Sequence, residues 1–111
     1  LDQEAVDRVF HALADATRRD IVVRVLQEES SVSALARRYT ISLAAVQKHV
    51  AVLESARLIT KHRRGREQIV TAKIETVRQA AQLLEQLEAI WRGRLERFGA
   101  LLAEPEEETQ R

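Results

Sequence analysis

Between residues 42 and 50 the chain reads SLAAVQKHV, and these residue types at this spacing suit the reading of base edges in a DNA groove, the plainer alternative being a solvated helix face. Leu43, Val46, Val50 and Leu53 recur in steps of three and four, which predicts an amphipathic helix that buries those four. Ser42, Ala44, Ala45, Gln47, Lys48 and His49 are then left exposed. A glutamine amide both donates and accepts, so Gln47 can bond adenine at two points. Lys48 can reach guanine or a phosphate, and the methyls of Ala44 and Ala45 suit thymine methyls. Ser42 fits two compatible roles, helix cap and phosphate donor. Lys61, Arg63, Arg64 and Arg66 form a second basic group, suited to the DNA backbone or to a minor groove whose negative potential attracts arginine. Arg37 and Arg38, just before the first stretch, are placed to meet phosphates, or equally to pair with Glu54 or solvent.

Charge is distributed to match. The 111 residues carry a net charge of +1, yet residues 37–73 hold 9 basic against 2 acidic side chains, net +7, while residues 1–36 and 74–111 each come to −3. Phosphate binding needs local rather than global positive charge, and a basic middle between acidic ends provides it. Other chemistries lack their residues. With 0 cysteines there is no disulfide framework, thiolate nucleophile or thiolate metal site. His11, His49 and His62 have no ligand spacing, so no metal site and no cofactor are expected. No glycine-rich phosphate loop, activated nucleophile or clustered acid pair is present, so no catalytic residue is assigned and the chain is not expected to be an enzyme. No apolar run approaches the roughly 18 residues of a membrane span, and LDQEAVDR opens acidic, with no basic and apolar leader; a cytoplasmic protein without a membrane partner is expected.

The elements that must position these groups follow from periodicity. Val6, Val9, Phe10 and Leu13 predict a helix over about residues 2–13. Asp15 is placed to cap a second helix that buries Ile21, Val22, Val25 and Leu26. Ser31 caps a short third helix, to about Arg38, with Val32, Leu35, Ala36 and Tyr39 on one face. Residues 39–42 then lead directly into the helix of Gln47, and two short helices so tightly joined cross steeply, as a helix-turn-helix. ITKHRR and REQIVTA flank Gly65 and predict a hairpin with its tip at Arg64 and Gly65. The whole reads as a mostly α winged helix-turn-helix, α-α-α-α-β-β-α, forming one domain over residues 1–103.

The last element is a long helix over about residues 74–103. Ile74, Val77, Ala81, Leu84, Glu88, Trp91, Leu95, Phe98 and Leu102 alternate steps of three and four along about 42 Å at ~1.5 Å per residue. Leu83, Leu87 and Ile90 add a second row. A domain of this size cannot cover such a stripe, so a homodimer is expected, with Val6, Phe10, Leu84, Leu87, Trp91, Leu95 and Phe98 in its seam. Residues 104–111 read as an acidic disordered tail.

The segments LADATRRDIVVRVL, SSVSALARRYTISLAAVQKHVAVLESARLI and RRGRE together resemble the arsenic-repressor (ArsR) family of bacterial winged-helix transcriptional regulators, over about residues 5–98. The most specific positions are Asp15, Thr17, Arg18, Arg19 and Ile21, then Ser42, Val46, Lys48, His49 and Leu53. The resemblance implies homodimers that pair through their first and last helices and repress promoters; the symmetry of such a dimer calls for a palindromic operator. Ala16 stands where the family usually has proline, Gln47 where it has a small serine, Val50 where it has leucine and Arg57 where it has glycine. Ser31 and Ser33 occupy the places of the Cys-x-Cys pair of metal-sensing members, and serine does not replace thiolate for soft metals. Residues 74–103 hold no histidine to join Glu85 and Glu88 in the family's other metal site. The resulting expectation is a sequence-specific DNA-binding regulator, a homodimeric repressor whose partners are double-stranded DNA and itself, with no effector named. Its rivals are a protein-interaction or adaptor module built on the long helix, and a regulator responding to metal through His11 or carboxylates.

Overall fold

The computed structural model describes residues 2–109, with side chains described up to residue 103. In chain order the elements are α1 (Gln3–Leu13), α2 (Ala16–Gln27), β1 (Ser30–Ser31), α3 (Val32–Ala36), α4 (Leu43–Ser55), β2 (Ile59–Arg64), β3 (Glu67–Ala72) and α5 (Ile74–Thr109). They divide into two compact units, Leu1–Ala80 and Ala81–Arg111.

Each of the first four helices starts on a short polar side chain that accepts from an otherwise unpaired first-turn amide. Asp2 accepts from Ala5, Asp15 from Arg18, Ser31 from Ala34 and Ser42 from Ala45, at 2.7, 3.0, 3.0 and 3.1 Å. The end of α4 is equally well defined. The Arg57 amide donates to Glu54 (2.9 Å) and the Leu58 amide to Leu53 (3.0 Å), with Arg57 in the left-handed region at φ 62°. This pair of bonds is the Schellman closure, in which the left-handed place usually belongs to glycine. It turns the chain straight into β2 and buries Leu58 and Ile59.

The core of the first unit is built by Val9, Ile21, Leu35, Val46, Val50, Leu53, Leu58, Ile59 and Val70, all nearly inaccessible. Two residues expected there lie outside it. Leu26 is 42% exposed and Leu43 48% exposed. At about 100° per residue, Leu26 falls roughly a quarter turn away from the centre of the Ile21, Val22 and Val25 arc. Leu43 is on the correct face but occupies the first, exposed turn of α4.

The expected hairpin is present and carries an additional strand. The sheet is antiparallel in the order β1-β3-β2, with Ser30 opposite Val70, Ser31 opposite Ile69, and β2 paired to β3 from Ile59↔Ala72 to Arg64↔Glu67. Two serines carry no alternation of their own; they become a strand only because β3 lies alongside. The tip is Gly65 and Arg66, one residue later than expected, with Gly65 at φ 64°, the conformation required at the first position of a two-residue type II′ turn.

In the second unit α5 is helical throughout. Leu84, Leu87, Ile90, Trp91, Leu95 and Phe98 are all more than half exposed. Arg92 pairs with Glu88 one turn earlier, and the Arg94 guanidinium lies 5.7 Å from the centre of the Trp91 ring. α5 continues to Thr109, past residue 104 where the acidic tail was expected to begin; the side chains of that segment, and residues 110–111 altogether, lie outside the described residues.

Candidate nucleic-acid interface

α4 presents Ser42, Ala44, Gln47 and Lys48 to solvent and leaves Ala45 half-buried. His49 does not share this face. Its side chain is 22% exposed, with Nδ1 3.4 Å from an Arg18 guanidinium nitrogen and 3.9 Å from an Asp15 carboxylate oxygen. With the ring neutral and its proton on Nε2, Nδ1 accepts from Arg18; with the ring protonated, Nδ1–H faces the Asp15 carboxylate instead.

Arg18 serves as a bracket. Its Nε donates to the Ala12 carbonyl at 2.7 Å and Nη2 to the His11 carbonyl at 3.1 Å, while Arg19 Nη1 donates to the Leu13 carbonyl at 2.8 Å. The last carbonyls of α1 are thereby satisfied by cations from α2, and the same Arg18 reaches across to α4. Asp15 completes the junction. The Arg18 amide, and behind it the charges of His49 and Arg18, hold its carboxyl below the ordinary 3.8 despite partial desolvation.

A second junction fixes the turn between α3 and α4. The Tyr39 hydroxyl donates to Asp20 Oδ2 at 2.5 Å and Arg24 Nε donates to the same oxygen at 2.8 Å, with the Arg24 guanidinium 5.9 Å from the Tyr39 ring centre. The two donors hold the Asp20 carboxyl below its usual value, while burial and then the Asp20 bond push the Tyr39 hydroxyl up. Arg37, the C-cap of α3, and Arg38 are exposed beside this junction; the Arg38 charge also favours ionised Asp20.

The wing cations, contiguous in sequence, are separated in space. Neighbouring strand residues face opposite ways, so Lys61 and Arg63 point to one side of the sheet and His62 and Arg64 to the other. Lys61 Nζ lies 3.8 Å from Glu54 at the end of α4, and Arg64 Nη1 donates to Glu29 at 2.8 Å. Arg64 holds the Glu29 carboxyl below its ordinary value. Arg63 Nε makes a long 3.4 Å bond to the Gly65 carbonyl. Arg66, at the tip, has no ion pair among the described residues.

Of the residues expected in a dimer seam, Val6 and Phe10 are half-buried on α1, and Leu84, Leu87, Trp91, Leu95 and Phe98 are exposed on α5. Among the described residues no three His, Cys, Asp or Glu side chains stand close enough to hold a metal ion, and no helix is long and apolar enough to cross a membrane. The sequence reading missed the positioning residues. Asp20, Arg24 and Glu29 gave no local signal of these roles, since each acquires its role from a partner brought near by folding; Arg18 was legible only as one of the specific positions of the resemblance, and Glu54 pairs with Lys61 rather than with Arg37 or Arg38.

No protein-family model matches the chain. Over 63 residues, 57% of its length, the chain is 41% identical to an HTH-type transcriptional regulator of Mycobacterium tuberculosis, and the match spans 59% of that regulator. An ArsR-like transcriptional regulator from a Rhodococcus species superposes with a TM-score of 0.72 at 33% identity, covering 83% of this chain and 87% of that one. The homodimeric winged helix-turn-helix DNA-binding domain of a possible ArsR-family regulator from Mycobacterium bovis gives 0.64 at 26% identity, over 77% and 80%. A capped α4 bracketed by Arg18, a basic β2–β3 wing and this agreement across nearly a whole regulator place the chain in the ArsR family of winged helix-turn-helix transcriptional regulators.

Proposed function

We propose that this chain is a sequence-specific DNA-binding repressor, acting in the cytoplasm as a homodimer on a palindromic operator. The observation that carries the reading is the exposure of Gln47 and Lys48 on the first turns of α4, an element held at its start by Ser42 and at its side by Arg18. The N-terminal half of the second helix of a helix-turn-helix enters the major groove, so Gln47 is offered to a base edge and Lys48 to a guanine or a phosphate. Arg66 and its wing neighbours serve the backbone or adjacent minor groove, and Arg37, Arg38 and Ser42 the phosphates. Two copies place two recognition helices about 34 Å apart, one helical turn of DNA. The exposed row on α5 supports dimerisation, as does the homodimeric state of the Mycobacterium bovis domain. The same row also fits a second role, docking of a foreign partner on α5.

The test is fluorescence anisotropy on the DNA upstream of the chain's own gene and on a scrambled control, for the wild type and Gln47→Ala. The wild type is expected to prefer the upstream DNA. Gln47→Ala should lose about 1–3 kcal/mol there and almost nothing on the scrambled duplex. Equal losses on both duplexes would remove Gln47 from base readout, and equal wild-type affinity for both would sink the repressor reading.

A further inference from the structure

The far end of α4, away from Ser42, carries a feature that DNA binding does not use. There the first unit encloses a hollow of about 310 Å3, whose lining includes Arg8 of α1, Arg57 after α4, and Lys73, Glu75 and Thr76 where α5 begins. Three cations face it, and among the described residues none of them makes an ion pair. Of its two carboxylates, Asp2 is already engaged as the cap of α1, bonded to the Ala5 amide at 2.7 Å, which leaves Glu75. The balance of the hollow is positive.

Arg57 makes the arrangement more pointed. It occupies a left-handed backbone position, φ 62°, where glycine fits without strain, and its guanidinium forms no hydrogen bond among the described residues. Beside the charged hollow lies a second, of about 350 Å3, with Arg8 and Ala56 as shared wall and Ala51 and Val52 supplying apolar surface. A charged slot opening beside an apolar one matches a ligand with an oxyanion head and a small apolar body.

We propose that Arg8, Arg57 and Lys73 form a binding site for a small organic acid, a carboxylate or a phosphate monoester, whose apolar body lies along Ala51 and Val52. Thr76, almost fully buried, also lines the hollow. Because Ala56 and Arg57 close the C-terminal end of α4, the occupant touches the end of the helix that carries Gln47; any effect on DNA binding rests on the DNA-binding reading, whereas the site itself does not.

A proton–nitrogen NMR titration of the full chain with sodium benzoate and with phenyl phosphate, against sodium chloride at matched ionic strength, tests the site without DNA. At least one of the two acids is expected to give saturable shifts at the amides of Arg8, Ala56 and Thr76. Arg57→Gly removes a cation while relieving the backbone, so it folds, and it should weaken binding at least tenfold, as should Arg8→Gln. Arg64→Gln should leave it unchanged. Shifts that never saturate, that match those from chloride, or that persist in Arg57→Gly would overturn the site. So would shifts confined to Lys48 and the wing and lost in Arg64→Gln, which would mean that the oxyanion binds the DNA face. If the titration succeeds while anisotropy finds no sequence preference, the site stands and the repressor reading fails.

Discussion

Gln47 and His49 are two residues apart and serve opposite faces of the same helix. At about 100° per residue a run of polar side chains cannot share one surface, so QKH divides into an exposed pair and an inward histidine that meets Arg18. The Arg18 contact spans 31 residues of sequence, which is why periodicity does not reveal it. Arg57, in contrast, was legible as a substituted glycine, and its φ of 62° is the reason glycine belongs there. Arg57→Gly is therefore expected to stabilise the chain by about 1 kcal/mol, read as a higher urea midpoint at unchanged slope. Asp20 supplies a pH dependence. Tyr39 and Arg24 lower its folded value below the unfolded 3.8, so its contribution is complete above about pH 5 and is lost as pH falls through the folded value. Asp20→Asn should flatten that acid limb, measured as urea midpoints from neutral pH downwards, and leave the slope above pH 5 unaltered.

At the scale of elements, the helix starts were the most legible features, because a cap is a local device. Asp15, Ser31 and Ser42 announce α2, α3 and α4 three residues before the amides they bind. Strand β1 was invisible for the opposite reason: Ser30 and Ser31 obtain their strand character from Val70 and Ile69, nearly forty positions on. The wing was legible as a hairpin but not in its charge state. Counted in sequence it offers a block of cations; folded, Arg64 is engaged by Glu29 and Lys61 lies near Glu54. Glu29 therefore competes with any phosphate for Arg64. Glu29→Gln is thus expected to tighten binding slightly, to specific and scrambled DNA alike, and to steepen the salt dependence in an anisotropy series. Unchanged affinity and slope would mean that Arg64 stays off the DNA.

Across the whole molecule, segregation of charge could be read by counting, and the apolar stripe on α5 by its steps. What counting does not give is the occupant of that stripe. Leu84, Leu87, Trp91, Leu95 and Phe98 all remain more than half exposed in a single chain, and an apolar row of this kind is characteristic of an interaction surface. Light scattering is expected to give twice the 12.7 kDa mass of one chain. Leu84→Glu with Leu87→Glu should halve it while the near-native circular dichroism of the first unit persists. A wild type that scatters as a monomer would favour the foreign-partner role for α5.

The order β1-β3-β2 has a further consequence. β2 is hydrogen-bonded on one side only, and its outer row of amides and carbonyls is a template on which another strand can add. Thr60, Lys61, His62, Arg63 and Arg64 lie exposed along it, and repulsion between the cations of two such margins opposes their zipping together. The side chains proposed to meet DNA therefore also oppose aggregation of the sheet. A variant stripped of them to test the DNA-binding proposal also loses this protection, and its solubility has to be measured before its silence on DNA is interpreted.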